Sequence, residues 1–340
     1  MSALNIIEDK PELSIILVNY NDKVHLKECL SSLEASPLLS HLEIIVVDNN
    51  SSDGSQEFIK SHFPRAKLIC NKENIGFARA SNQGIRQSRG DFVLFLNTDT
   101  TFFPEALSLL LREIKTNHQA GAVGPALLKG ENRYQISFGW RRGFGSELLQ
   151  KCFFNPFYRM KLKHAKKKRE VGWLSAACLL VRKDVLEEVN LFDEDFFLYF
   201  EDIDLCFRIR EKGWKLICLP QVKVFHRGGA STSYSEFSSR YEYRKSQLYF
   251  YQKHTSKVSL FLLHIYLLLN FSLLFIFNFL GKDRDLGRKK RFFKLLRNYK
   301  SKYKGGKGES GKQGGGDLGS YITNPKIGGK NDKKRELPLD

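Results

Sequence analysis

Residues 43–62 read EIIVVDNNSSDGSQEFIKSH. A run of mostly branched apolar side chains ends in an acid, a polar turn follows, and a short helical pattern begins. Glu43 to Asp48 therefore reads as a buried strand, and residues 53 to 62 as a helix with Ser52 or Asp53 as its cap. The same unit recurs on both sides. Upstream, Leu13 to Val18 is an apolar strand and residues 22 to 35 a helix. Downstream, Ala66 to Cys70 is a short strand, residues 76 to 88 a helix, and Phe92 to Asn97 (FVLFLN) another buried strand. Pro104 then opens a helix to about Asn117, since proline suits a first helical turn. Short apolar strands alternating with helices predict an α/β fold, with a Rossmann-like, mainly parallel sheet covered on both faces.

Ligands of such sheets gather at the carboxyl ends of the strands. Those ends carry polar clusters here: Asn19, Tyr20 and Asn21 after the first strand, Asp48, Asn49 and Asn50 after the second, and Asn97, Thr98, Asp99 and Thr100 after the fourth. Three clusters on one edge predict a nucleotide-sized site, with Asn19, Asp48 and Asn97 as its candidate contacts. A dinucleotide site of the dehydrogenase kind needs a glycine loop after the first strand, and NYNDKVHL has no glycine. The stretch GKGESGK at 306–312 has phosphate-loop spacing, but Gln313 stands where Ser or Thr is required and no strand precedes it. A carboxylate placed like Asp99 can hold a divalent cation, which in turn binds a diphosphate.

The second half supplies further chemistry. Residues 129–170 are basic and loop-like, and Trp173 to Arg182 (WLSAACLLVR) reads as one strand. Within Phe192 to Gly213, Glu201, Asp202 and Asp204 open a helix, where acids suit the positive helix start. One of these acids can serve as the base that takes a proton from an attacking hydroxyl. Four aromatics just before them, Phe196, Phe197, Tyr199 and Phe200, suit a walled site or, equally, a packed core. Lys215 to Leu219 and Val222 to Phe225 read as two short strands leading into His226, whose neutral imidazole can complete a metal shell.

The 340 residues carry 55 Lys and Arg against 37 Asp and Glu, a net charge of +18. Residues 281–340 contribute +11 and residues 151–170 contribute +7, so the rest of the chain is neutral. A neutral body with a basic loop and a basic tail predicts a local anionic partner and no nucleic acid. Six cysteines with no CxxC pair indicate a reducing compartment. The start of the chain has no apolar signal region, so the body is expected to stay in the cytosol. Residues 258–280 form an uncharged apolar run, about 35 Å long as a helix and enough to span a bilayer. Basic residues on both flanks favour a re-entrant or interfacial segment as a competitor to a full span. The basic, Phe- and Leu-bearing stretch after it suits an anionic membrane surface.

Six stretches together resemble a family 2 inverting glycosyltransferase of the GT-A fold, its rhamnosyltransferase-like branch in particular: SIILVNYN (14–21), VVDNNSSDGS (46–55), NKENIGFARASNQGI (71–85), FVLFLNTDT (92–100), LFDEDFFLYFEDIDLCFRIREKGW (191–214) and HRGGAST (226–232). The resemblance implies that Asp48 binds the donor's uracil or thymine, and that Asn74, Gly76 and Asn82 line the donor site. It implies Mg²⁺ or Mn²⁺ at Asp99, the last acid of the family's DxD motif, with His226 completing the shell. Asn97 stands at the first DxD position, where the family often has Asp. Asp202, the acid of the ED motif, is the implied catalytic base.

The organisation expected is a polar lead at 1–12, a GT-A domain at 13–255 with a nucleotide-sugar half (13–125) and an acceptor half (126–255), a hydrophobic helix with a basic membrane-associated segment at 256–303, and a Gly/Lys-rich tail at 304–340. The expected reaction moves a sugar from a UDP- or dTDP-sugar to a polyprenyl-phosphate-linked glycan at the cytoplasmic face of the cell membrane. A nucleotidyltransferase, or a non-catalytic membrane-tethering subunit with the same fold, stays open as an alternative.

Overall fold

The structure is a computed structural model that describes residues 10–36, 38, 42–130, 133–139, 167–228 and 236–280. All of them belong to a compact unit, Met1–Leu295. The basic stretch 151–166, the phosphate-loop spacing at 306–312 and the tail lie outside the described residues.

The first four strands are β1 (Leu13–Asn19), β2 (Leu42–Asp48), β3 (Lys67–Cys70) and β4 (Phe92–Asn97), linked by α1 (Lys23–Glu34), α2 (Ser55–His62) and α3 (Phe77–Gln87). They pair in parallel in the order β3-β2-β1-β4, with Leu13 opposite both Leu42 and Phe92. The strand order reverses beside β1, which opens a crevice at the carboxyl ends of β1 and β4. The strands are apolar on both sides because both faces are covered. Ile15, Leu17, Leu26, Leu30 and Leu94 sit in the main core, and Ile45 and Val47 pack with Ala80 of α3 on the other face. Each such fully buried branched side chain contributes about 1.5–3 kcal/mol.

Beyond β4 the sheet becomes mixed. The remaining elements are β5 (Thr100–Phe102), α4 (Ala106–Thr116), β6 (Ala120–Leu128), β7 (Phe138–Gly139), β8 (Arg169–Glu170), β9 (Trp173–Leu174), β10 (Cys178–Arg182), α5 (Lys183–Glu188), α6 (Glu201–Glu211), β11 (Lys215–His226), α7 (Glu236–His254) and α8 (Lys257–Leu280). The order continues β4-β10-β6-β11-β5, with β10 antiparallel to both neighbours and β6 parallel to β11.

Several sequence readings change. WLSAACLLVR is two strands: β9 pairs with β7 in a separate two-stranded sheet, and β10 joins the main one. The two short strands expected at 215–225 are one, kept continuous by a register shift that accommodates Pro220 between Leu219 and Lys223. β6 (AGAVGPALL) is buried at every residue. The 125/126 boundary between the expected halves falls inside this strand. Helix α2 is capped by Gly54 in a left-handed conformation, and Asp53 Oδ1 accepts from the Ser55 amide at 3.1 Å. Pro104 lies two residues before α4, outside the helix it was expected to open.

The apolar run 258–280 is helical within α8, with side chains described through Asn270. Leu263 and Leu267 are buried, whereas Val258, Phe261, Leu262, Ile265, Leu268 and Leu269 are exposed. Among the described residues, no helix is long and apolar enough to cross a membrane.

Candidate active site

The polar strand ends meet at the crevice. Asn97, at the end of β4, places its Nδ2 3.2 Å from His226 Nε2, and Asp99 Oδ1 lies 3.2 Å from the same nitrogen. The other Asp99 oxygen accepts from the Gly228 amide at 3.0 Å. On the far side of the ring, His226 Nδ1 is 2.8 Å from Gln135 Oε1, and Gln135 Nε2 donates to the His226 carbonyl. This grip sets the tautomer. Nδ1 carries the hydrogen, so a neutral ring turns a bare Nε2 toward the Asp99 carboxylate.

Two lone-pair donors 3.2 Å apart fit a shared cation, because ligands at 2.0–2.1 Å in an octahedral shell sit about 3 Å from each other. Among the described residues, no cluster of three or more His, Cys, Asp or Glu could hold a metal by itself. A cation held there would take two ligands from this pair, and a diphosphate and water could supply the others. Asn97 gives the ring an N–H where a second carboxylate would otherwise stand.

The β1 and β2 ends form a second polar group. Asp48 is fully buried. Its carboxylate accepts from Asn19 Nδ2 at 2.8 Å, the Ser51 amide at 2.9 Å and Gln56 Nε2 at 2.6 Å. Of these donors, Gln56 and Ser51 belong to partly exposed residues, whereas Asn19 is buried. Asn49 Nδ2 donates to Asn74 Oδ1 and to the Gly76 carbonyl, both at 3.2 Å, which ties the loop before α3 to the end of β2.

Asn82 is spent inside the body. Its Nδ2 donates to the Phe192 carbonyl and to Glu194 Oε1, each at 2.9 Å, and its Oδ1 accepts from the Phe192 amide at 3.0 Å. Gly76 has an equally mechanical reason to be glycine. Its φ is +86°, and a Cβ there would stand 2.5 Å from the Phe197 carbonyl oxygen. Gly76→Ala is therefore expected to destabilise the fold by about 3 kcal/mol, from positive-φ strain plus a backbone clash. Chemical denaturation checks this, and a cost below about 1 kcal/mol would show that the contact yields.

Asp202 opens α6 and is partly buried. Its Oδ2 accepts from the Ala176 amide at 3.1 Å and its Oδ1 from the Ile203 amide at 2.8 Å. Ala176 lies in the turn that interrupts WLSAACLLVR, and the next residue's carbonyl, that of Ala177, accepts from the Asn97 amide at 3.1 Å. The break between β9 and β10 thus carries Asp202 to the end of β4. Glu201 is buried, and burial together with the charge of Asp202 pushes its carboxyl well above the usual range. Tyr199 and Phe200, just before it, have φ of 66° and 69°. Bulky residues in that region cost about 1–3 kcal/mol each unless the surroundings hold them.

Asp204, one turn into the helix, is fully buried, and its carboxyl is held at about 2 by His254, Arg208 and Lys253 against the opposing effect of burial. The folded value lies below the unfolded one of about 3.9, so the stabilisation is complete above pH 5 and is lost as pH falls toward 2. Asp204→Asn is expected to cost about 2–3 kcal/mol at pH 7 and to flatten the loss of melting temperature between pH 5 and pH 2. A melting curve as steep in acid as the wild type would contradict this.

Sequence reasoning missed Gln135, Ser51, Gln56 and Ala176. They act through a side-chain amide, a main-chain amide or a turn that no motif announces.

The family model for glycosyl transferase family 2 matches residues 14–190, just over half of the chain. An N-acetylglucosaminyl-diphospho-decaprenol L-rhamnosyltransferase of Mycobacterium tuberculosis is 29% identical over 257 residues, covering 70% of this chain and 83% of that one. Among solved structures, mannosyltransferase PcManGT of Pyrobaculum calidifontis, in complex with GDP-Man and Mn²⁺, superposes with a TM-score of 0.52 at 18% identity, over 72% of this chain and 64% of that one. GalNAc-T7 with UDP, GalNAc and Mn²⁺ superposes with a TM-score of 0.53 at 16% identity, over 72% and 50%. The chain spans less than two thirds of either solved chain, and at these identities the likeness is one of fold.

Proposed function

The chain belongs to glycosyl transferase family 2, and from that premise we propose that it transfers a sugar from a UDP- or dTDP-linked donor to a hydroxyl of a polyprenyl-diphosphate-linked glycan, inverting the anomeric carbon in one metal-assisted step. The observation that carries this reading is the turn at 175–177, which holds Asp202 through Ala176 and the end of β4 through Ala177. It joins a carboxylate to the crevice where Asp99 and His226 face each other. L-rhamnose is the first donor sugar to test, because the decaprenol-dependent relative is a rhamnosyltransferase.

The chain's own groups divide the work. Asp99 and His226 would hold Mg²⁺ or Mn²⁺. Such an ion, when bound, neutralises charge on a departing nucleoside diphosphate, which removes the need for a protonated leaving-group acid. Asp48, with Asn19, Ser51 and Gln56 around it, meets the base. Asp202 accepts the acceptor hydroxyl's proton as its oxygen attacks from the face opposite the leaving group. One displacement without a covalent sugar–enzyme intermediate inverts the centre, in contrast to the two-step retaining hydrolases.

The exposed apolar side chains of α8, followed in sequence by Lys282, Arg284, Arg288, Lys289, Lys290 and Arg291, support a seat on an anionic membrane surface. That seat is at the cytoplasmic face, beside a lipid-linked acceptor.

The test is thermal stability of the full chain with UDP, dTDP, GDP and ATP, each with and without Mn²⁺. A nucleotide at a hundredfold excess over its Kd adds about 2.7 kcal/mol. A Mn²⁺-dependent shift with UDP or dTDP supports the reading. A folded protein that shifts with no nucleotide overturns it.

A further inference from the structure

Helix α7 adds no strand and no ligand to the crevice, yet it grips both flanks of the turn that presents Glu201 and Asp202. On the upstream flank, Ser246 Oγ donates to the Leu198 carbonyl at 2.8 Å, and the Tyr249 hydroxyl donates to Asp193 Oδ2 at 3.0 Å and Asp195 Oδ2 at 3.2 Å. On the downstream flank, Phe250 packs on Phe200 with ring centroids 5.6 Å apart, and His254 Nε2 lies 2.6 Å from Asp204 Oδ1. Lys253 reaches both. Its Nζ donates to Asp193 Oδ2 at 2.5 Å and to Asp204 Oδ1 at 2.7 Å. Between those two carboxylates lie Tyr199 and Phe200, two consecutive non-glycine residues with positive φ. A conformation of that kind persists only where its surroundings over-determine it.

We propose that Lys253 is a positioning residue for the acid pair: by bracketing the left-handed turn between Asp193 and Asp204, it fixes the direction in which the first turn of α6 presents Asp202. The segment that leads into the apolar helix α8 is thereby part of what organises catalysis. The catalytic half of this inference rests on the reading of Asp202 as the base. The bracket itself does not.

Two variants of the full chain test it. Lys253→Met keeps most of the apolar stem and removes the charge, whereas Lys253→Arg can still reach both carboxylates. Amide hydrogen exchange is measured over residues 198–204, with β4 and α3 as internal references. Lys253→Met is expected to speed exchange in 198–204 by at least about tenfold, with the references unchanged, and Lys253→Arg to restore most of the protection. Turnover of whichever nucleotide sugar the wild type uses is expected to fall about tenfold to a hundredfold in Lys253→Met, with the donor KM within about twofold. Wild-type exchange in 198–204, or wild-type turnover in a folded Lys253→Met, overturns the proposal. If that variant does not fold, Asp193→Asn removes the charge at one end of the bracket while Lys253 stays paired with Asp204. Unchanged exchange at the turn in that variant overturns the proposal equally. A wild type that uses no nucleotide sugar defeats the functional reading alone, because the exchange measurement still decides the bracket.

Discussion

Asp202→Asn is expected to lower turnover by about a thousandfold, within the span that a positioned general base contributes, while nucleotide binding stays as it was. The substitution is nearly isosteric. An asparagine oxygen can still accept from the Ala176 amide, which lies 3.1 Å from Oδ2, so the link between α6 and the 175–177 turn survives. What disappears is the capacity to take a proton, together with the acceptor that Oδ1 offers the Ile203 amide. In the proposed reading the nucleotide's diphosphate falls to Asp99, in the turn between β4 and β5, and to His226, at the end of β11, so the Mn²⁺-dependent thermal shift should be the wild-type one. The paired control is Glu201→Gln. Burial and the adjacent Asp202 both disfavour the charged form of Glu201, so a neutral amide is the conservative replacement there, and most activity should remain. A turnover in Asp202→Asn within tenfold of wild type would remove it from the mechanism. A dead Glu201→Gln beside an active Asp202→Asn would exchange the two roles.

The parts of the fold that could be read from sequence are those where local pattern and tertiary environment agree. β1, β2 and β4 are short apolar runs because both sheet faces are covered, and their polar ends fall at the crevice because the strand order reverses beside β1. The reading failed where tertiary packing overrides local signals. β6 is a fully buried strand built on Gly, Ala and Pro, residues that locally announce a break. WLSAACLLVR has uniform strand character, yet it turns at Ser175–Ala177 because Ala176 must meet Asp202 and Ala177 must meet Asn97. The candidate site divides along the same line. Asp99 and His226 have chemistry of their own and stand out in sequence. Gln135, which fixes the imidazole, is an ordinary polar residue between strands. Asn82 and Gly76 sit in a recognisable stretch, but their local work is to hold the Phe192 and Phe197 backbone, a long-range task that no nearby pattern records.

Asp99→Ala is expected to abolish the Mn²⁺-dependent part of nucleotide binding, and with it the roughly 2.7 kcal/mol of ligand stabilisation that a hundredfold excess over Kd confers on the wild type. The reason lies in how few protein ligands there are. Asp99 and His226 are two neighbours facing across 3.2 Å, with no third acid or imidazole beside them among the described residues. Loss of one therefore removes half of the protein's share and the only negative charge in it. Alanine also strips the Gly228 amide of its acceptor at 3.0 Å, so the unliganded protein should melt somewhat lower. Asp99→Asn separates the two effects. Its amide oxygen can still accept from Gly228, so the unliganded melting temperature should recover, but a neutral oxygen is a poor ligand and the Mn²⁺ dependence should stay lost. Recovery of both in Asp99→Asn would make Asp99 a brace for the 226–228 turn and move the cation elsewhere. The two acids are then distinguished by opposite failures. Asp202→Asn binds without turning over, and Asp99→Asn folds without binding, an outcome that a single shared structural defect could not produce.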